Sequence, residues 1–552
     1  LVNLNMVALK LPFYFFFLFR AFILKYHIFC ILVNTNTTFC AFIDMVELYI
    51  INFGGILMIL TWDIIRRIIE ILWLINVGLA IWTVFRSHRD IASTWAWLLI
   101  LSILPYVGFV LYLFTGRQLS HDDIFSIETE QKKIRYHFLN EQNRLLRIHD
   151  LIPSKAQNPR ARRLVELNLN NDGALLTFNN EVETFIDGQV LFPNLIKNID
   201  EAKRTINVEF YTFYDDQLGN QVLQSLEKAA SRGVKVRVLY DASGSRGTRP
   251  SFFKKLRQLG GEAQPFISTA GNRLFTTPRA NYHLHRKLVI IDNEIGYIGG
   301  FNIGDQYIDR SKKFGHWRDT HIRVVGQAAL LMEIRFAMDW NTSCRRSHLP
   351  KYNIDSLVET FELKVVQSKD LVPMQIVSSG PDNSHFGIRR AYEEIIAQAE
   401  NYVYIQTPYL IPGDSILEAL IIAAKSGVDV RIMIPSMPDH PFVYRATEYY
   451  AKYLVNQGVK VYKYDNGFIH AKTMVSGSNI ASVGSANQDF RSYQLNFEVN
   501  AFTYSPALTK ELKEIFEEDL KESTLLTKEY FDKQSHWRKF KQYFSRLLSP
   551  IL

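Results

Sequence analysis

The sequence predicts an α/β fold class: two tandem α/β repeats forming one pseudo-twofold unit, preceded by an N-terminal transmembrane helical hairpin. Three observations carry this. Two long apolar runs lie near the start, a helix–glycine–strand pattern occurs twice further on, and each copy is followed by the same His-x-Lys string.

At 552 residues the chain exceeds one ordinary core and calls for two or three domains. Apolar residues make up 47% and charged residues 21%, so most of the chain can pack a globular interior. The formal net charge of +8 favours anionic partners, either nucleic acid or an anionic lipid surface. The three cysteines, Cys30, Cys40 and Cys344, have no metal-type spacing, and an odd, sparse set argues against a disulfide framework.

The runs Ile68–Phe85 and Thr94–Phe114 each approach the ~20 residues that a helix needs to cross a bilayer. Only Arg86–Asp90 and a few more residues separate them, so they read as a tight hairpin. Trp82, Trp95, Trp97 and Tyr112 sit near the ends, where aromatic belts form. The flanks carry Arg66, Arg67, Arg117, Lys132, Lys133 and Arg135, against Arg86 and Arg89 in the loop. The positive-inside rule therefore favours a multi-pass cell-membrane protein with a cytoplasmic catalytic region. Residues 1–60 form a further apolar extension, interrupted at Arg20 and Lys25, and no topology is built on its first 44 residues. Met45 and Met58 are candidate starts. The resulting division is extension 1–60, hairpin 61–117, connector 118–170, first repeat 171–355 and second repeat 356–552.

The repeats show first in Ala229-Ala-Ser-Arg-Gly-Val-Lys-Val-Arg-Val238 and Ala423-Ala-Lys-Ser-Gly-Val-Asp-Val-Arg-Ile432. Each reads as a helix end, a glycine stop and a strand alternating apolar and charged residues. Another strand precedes each, Ile206–Phe213 and Tyr402–Tyr409, and strands alternating with helices indicate α/β layers.

Downstream come His285-Arg-Lys287-Leu-Val-Ile-Ile-Asp292 with Gly299-Gly-Phe-Asn302, and His470-Ala-Lys472-Thr-Met-Val-Ser-Gly477 with Gly484-Ser-Ala-Asn487. The separation from His to Asn is the same in both. His-x-Lys on a strand puts both side chains on one face. The glycine-containing turn brings Asn302, and in the second copy Asn487, together with backbone amides toward the same place. Imidazole, ammonium, amide and backbone donors together make a phosphate site containing a nucleophile. One such string alone would read as a solvated strand end; two in register do not. A metal pair at His283 and His285 fails the comparison, because Phe468 stands where His283 would repeat. No other His or Cys spacing suggests zinc, so neither metal nor cofactor is expected.

These strings resemble the paired HxKxxxxD motifs of the phospholipase D superfamily. Asn281-Tyr-His-Leu-His-Arg-Lys287, Trp317-Arg-Asp-Thr-His321 and Arg491-Ser-Tyr-Gln-Leu-Asn-Phe-Glu-Val-Asn500 resemble its cardiolipin synthase branch. The resemblance implies two phospholipase D-like repeats that meet to form a single metal-independent site. It assigns His285, Lys287, Asp292, His470 and Lys472 to the motif set, with Asn302, Asn487 and Ser485 as phosphate-holding or supporting groups. Asp319 and Glu498 would orient the histidines. It further implies phosphatidyl transfer between two phosphatidylglycerol molecules, with His285 as nucleophile and His470 as acid/base. The neighbours of the two histidines must then split their pKa values. Phosphatidylglycerol and anionic membrane lipids are the expected partners, with no nucleic acid. A hydrolase using water as acceptor and a non-catalytic membrane scaffold remain open alternatives.

The sequence departs from the motif at Gly477, the counterpart of Asp292. Asp292 opens a polar turn, where a carboxylate can accept hydrogen bonds from amides. Position 477 is out of phase with His470 and Lys472, so direct contact with phosphate is not expected there. At the C-terminus Trp537, Phe540, Phe544, Leu547 and Ile551 recur at helical spacing among Arg538, Lys539, Lys541 and Arg546. Such a helix either touches anionic lipid or docks onto the catalytic domain, and docking is favoured.

Overall fold

The computed structural model describes residues 159–266, 282–347, 349–360, 371–381 and 386–549, with the helix Ile91–Ile103 and scattered positions between 64 and 142. The chain divides into two units, Leu1–Tyr112 and Leu113–Leu552. In the first, Ile91–Ile103 is an uncharged helix of 13 residues. That length spans only about 20 Å, short of the ~30 Å hydrocarbon core. Among the described residues no helix is long and apolar enough to cross a membrane. Apart from Gly108, the rest of the second expected span lies outside the described residues, as does most of Ile68–Phe85.

The second unit contains two large sheets built on one plan. In the first repeat, Thr205–Phe210, Lys235–Tyr240 and Glu262–Pro265 are parallel neighbours. On the other side of Thr205–Phe210 the antiparallel strands Lys287–Ile291, Ile295–Gly299 and Trp317–Val325 follow in turn. The second repeat has the same order: Tyr402–Gln406, Asp429–Pro435 and Lys460–Tyr464 are parallel, and Thr473–Ser476, Ile480–Gly484 and Asn496–Thr503 are antiparallel. The two-repeat α/β expectation is borne out. Helix Pro159–Asp172, from the end of the expected connector, and strand Leu176–Thr177, from the start of the stretch expected to be the first repeat, join the core and sheet of the second.

Helices form where the sequence gives both an apolar stripe and an end signal. Gln217–Ser231 is capped by Asp216, whose carboxylate accepts from the Gly219 amide at 3.0 Å, and buries Leu218, Val222, Leu223 and Leu226. It stops at Gly233, whose φ of 89° is open to glycine at little cost. Gly427, at φ 94°, does the same in the second copy.

Each repeat has its own core, and a third core joins them. Leu288, Ile290, Ile298, Ile322 and Val324 of the first sheet pack with Val475, Val483, Phe497 and Val499 of the second. Met332, Phe336 and Trp340 from helix Gln327–Ser347 and Leu508 and Leu512 from helix Pro506–Lys521 complete it. The motif strand Lys287–Ile291 is buried along its whole length, which is why it reads as an uninterrupted apolar run after Lys287.

Asp292 ends that strand in the left-handed region, at φ 56°. Its carboxylate accepts from the amides of Lys203, Arg204 and Thr205 at 2.9, 2.6 and 2.9 Å, fixing the entry to the neighbouring strand. In the second copy the Gly477 amide still donates to Tyr402 O at 3.1 Å, but no carboxylate is present. A Cβ at position 477 would lie 3.2 Å from the Tyr402 ring and 3.3 Å from Asn401 Cβ. Asp292→Gly should lower stability by roughly 1–2 kcal/mol with the turnover rate intact. Gly477→Asp should leave the rate unchanged or slightly higher. Chemical denaturation and initial rates of both variants beside wild type check this; a rate raised by orders of magnitude in Gly477→Asp would make the carboxylate catalytic.

Candidate active site

Two very short strands bring the motifs together. His283–Leu284 leaves the first sheet and pairs in parallel with Asn496–Phe497 of the second. Phe468–Ile469 does the reciprocal, pairing with Trp317–Arg318 of the first. The backbone bonds continue one residue further, His285 N to Phe497 O at 2.9 Å and His470 N to Arg318 O at 2.7 Å. Each histidine therefore lies against the last strand of the opposite repeat.

That exchange puts each histidine beside the other repeat's carboxylate. His285 Nδ1 is 2.9 and 3.0 Å from the two oxygens of Glu498. His470 Nδ1 is 2.7 Å from Asp319 Oδ2. Lys472 Nζ also lies 2.8 Å from His470 Nδ1, and one ring nitrogen cannot donate and accept at once. The closer carboxylate accepts a hydrogen bond from Nδ1–H, while Lys472 donates to the His470 carbonyl. Lys287 likewise donates to His285 O, at 2.6 Å. With Nδ1 occupied in both rings, each Nε2 keeps a lone pair.

Burial sets the charges. It pushes both imidazoles down to about 4, with Lys287 and Lys472 adding to the effect and the carboxylates opposing it. Burial also lowers Lys287 to about 7 and Lys472 to about 8. For Asp319, burial pulls upward, but Lys472 and His470 outweigh it and hold the carboxyl below its ordinary range. Glu498 is treated the same way by burial, His285 and Lys287. Burial thus lowers both histidines, each beside a carboxylate and a lysine, and the split that the chemistry requires is left to the bound substrate.

The matches to known proteins fall on these strands. Residues 195–319 and 392–520 match the family described as "Cardiolipin synthase, PLD-like domain", and 71–117 match "Phospholipase_D-nuclease N-terminal". A cardiolipin synthase of Listeria innocua serovar 6a is 47% identical over 489 residues, 89% of this chain and 100% of the relative. The chain belongs to the cardiolipin synthase family. A second relative, a cardiolipin synthase of Staphylococcus aureus strain Mu50, is 44% identical over 483 residues, 87% of this chain and 95% of its own. In fold the chain is similar to a phosphatidylserine synthase from Haemophilus influenzae Rd KW20, with TM-score 0.54 and 16% identity over 71% of this chain and 100% of that one.

The remaining predicted residues of this cardiolipin synthase family member divide between site and scaffold. Ser485 donates to Glu498 Oε2 at 2.5 Å, and so supports the carboxylate rather than facing outward. Its counterpart is Gly300, where a Cβ would lie 2.0 Å from Asp319 Oδ1; glycine there makes room for the carboxylate itself. Asn302 accepts from the Thr212 amide at 3.2 Å and donates to Tyr307 at 3.2 Å. Asn487 is buried, and its Oδ1 has no partner among the described residues. Asp292 is the one motif residue not brought to the histidines, since it closes the far end of the strand. The unequal spacing of Asp319 and Glu498 from their motifs arises in the loops before the last strands. Gly299 faces His321 and Gly484 faces Asn500, so the two carboxylates hold the same register.

Sequence reasoning missed the guanidinium pairs beneath the histidines. Arg286, fully buried, pairs with Asp339 at 2.5 Å and donates through Nε to Glu498 O at 3.2 Å. In the second motif the same position is Ala471, and the guanidinium comes from the other repeat. Arg318 pairs with Asp519 at 2.7 Å, and Gln406 also donates to that carboxylate at 2.6 Å. The signal was an Arg between the His and Lys of the first motif, with Ala471 in its place in the second, and an Arg adjoining Asp319. Arg318→Leu should cost roughly 3–5 kcal/mol by stranding the buried Asp519 carboxylate. Adding Asp519→Leu should restore more than half of that loss in denaturant melts; equal, additive losses would mean the pair is not coupled.

Proposed function

We propose that the chain makes cardiolipin and glycerol from two phosphatidylglycerol molecules through a phosphatidyl-histidine intermediate. The observation supporting this most strongly is the reciprocal pairing of His285 with Glu498 and His470 with Asp319. It fixes two tautomers and leaves two Nε2 atoms free for one phosphorus. In the first step Nε2 of one histidine attacks phosphorus, the bond from phosphorus to the glycerol oxygen breaks, and the other histidine delivers a proton to that oxygen. In the second step the terminal hydroxyl of another phosphatidylglycerol attacks, its proton returns to the same histidine, and the P–N bond breaks. His285 as nucleophile and His470 as acid/base follow the superfamily resemblance.

Burial holds both imidazoles near 4, so both start neutral at pH 7. The acid histidine must therefore take up a proton from solvent as the substrate binds; the anionic diester and the Asp319 or Glu498 carboxylate favour that imidazolium once the phosphate is seated. The same anion draws Lys287 and Lys472 back toward the charged form. Their ammonium groups, with Asn302 and Asn487, then stabilise the phosphoryl oxygens in the trigonal bipyramidal step. The reading also has a membrane hairpin at Ile68–Phe85 and Thr94–Phe114, with the catalytic region on the cytoplasmic side. Its support is the match of 71–117 to the family's N-terminal region and the excess of Arg and Lys in the flanks.

Given pure phosphatidylglycerol, the full chain should yield cardiolipin and glycerol in equal amounts, unimpaired by chelator and suppressed by excess glycerol. His285→Ala and His470→Ala should each lower the rate at least ~10³-fold with the fold intact. Mass analysis of the lipids decides: phosphatidate as the main product makes water the acceptor, and a near-normal rate in either variant ends the two-histidine mechanism.

A further inference from the structure

The C-terminal helix His536–Leu547 is docked onto the catalytic unit with its polarity reversed. Ser535 caps it by accepting from the Arg538 amide at 3.3 Å. It lies on helix Pro441–Asn456, and the residues it buries there are Gln542 and Ser545. Gln542 donates to Glu448 at 3.1 Å and to Gln534 at 2.9 Å, and Arg538 pairs with Glu448. The docking expected from the sequence does occur, but through the polar face.

The apolar face points outward. Trp537 is 65% exposed, Phe540 55%, Tyr543 54%, Phe544 47% and Leu547 74%. Trp537 stacks on Phe540 with ring centroids 5.4 Å apart, and Phe540 stacks on Phe544 at 6.4 Å. Phe442, at the start of the carrier helix, is 54% exposed as well. Single exposed apolar residues are ordinary, but a contiguous aromatic row marks a contact surface.

Charge identifies the occupant. The helix carries Arg538, Lys539, Lys541 and Arg546 and no acidic residue. Lys541 Nζ lies 5.8 Å from the centre of the Trp537 ring, and the Arg546 guanidinium 5.0 Å from that of Tyr449. Aromatic rings flanked by cations match the boundary of an anionic bilayer, where rings enter among the headgroups and cations meet phosphates. A second copy would instead present the same positive face to this one. The carrier helix also adjoins the reaction site: it begins after Asp439, which accepts from Tyr409 and acts electrostatically on Lys472.

We propose that the Trp537–Leu547 face is a docking surface that seats the catalytic unit on an anionic phospholipid interface. This rests on the reading that the substrate is a bilayer phospholipid. The test uses the full chain, as wild type and as two variants, Trp537→Ser/Phe540→Ser/Phe544→Ser and Lys539→Glu/Lys541→Glu. Cardiolipin formation is measured on vesicles of phosphatidylglycerol in phosphatidylcholine and on short-chain phosphatidylglycerol held below its micelle concentration. Both variants should need about tenfold more phosphatidylglycerol in the vesicle for half-maximal rate, while their rates on the monomeric lipid stay within about twofold. The serine variant tests the rings and the glutamate variant the cations, so a folding failure of one leaves the other decisive. Unchanged vesicle kinetics, or equal losses on both substrates, would overturn the docking surface. A fall in oligomeric mass in the serine variant would assign the face to a second copy and overturn it too. A wild type that makes no cardiolipin from either lipid would instead refute the underlying function.

Discussion

The reciprocal exchange of two short strands is the constraint on which the site depends. His283–Leu284 and Phe468–Ile469 each form a parallel bridge to the final strand of the other repeat. Without those bridges Glu498 and Asp319 would sit beside their own motifs' turns, and neither imidazole would have its Nδ1 held. The shared core of Leu288, Ile290, Val475, Val483, Phe497 and Val499 keeps the bridges aligned. Separating the repeats would expose that core and dismantle both histidine–carboxylate pairs together, so one half has neither the packing nor the chemistry to act alone.

Within that frame the two halves solve the same problems with different residues. The carboxylate is supported by Ser485 in one half and admitted by Gly300 in the other. The buried guanidinium comes from Arg286 within its own motif, or from Arg318 across the repeat boundary. The strand entry is tied by the Asp292 carboxylate in the first copy, and by the Gly477 amide and the Ser478 hydroxyl in the second. These differences lie in the scaffold. Histidine, lysine and the orienting carboxylate recur together in both halves.

Legibility in the sequence followed the range of the interaction. The repeat, the motif strands and the equal His-to-Asn spacing are local patterns and could be read directly. The resemblance named Asp319 and Glu498 as partners of the histidines, but not that each serves the other repeat, because a two-residue parallel bridge between positions some two hundred residues apart leaves no periodic trace. Asp319 and Glu498 stand at unequal distances from their motifs because loop length hides ladder register, although Gly299–His321 and Gly484–Asn500 show the register to be the same. The amphipathic pattern from Trp537 to Leu547 was visible, but periodicity does not say which face turns inward. Glu448 decides that, by binding Arg538 and Gln542. The split in histidine pKa is a demand of the chemistry, whereas burial lowers both histidines in the free protein.

If both histidines of one chain serve one phosphorus, two inactive variants cannot rescue each other. Full-length His285→Ala and His470→Ala proteins, reconstituted separately and then co-reconstituted in the same phosphatidylglycerol vesicles, test this through the rate of cardiolipin formation. The account predicts that the mixture stays as inactive as either variant alone. Recovery of a substantial fraction of the wild-type rate would mean that the two histidines work in separate sites or across chains, and would contradict it.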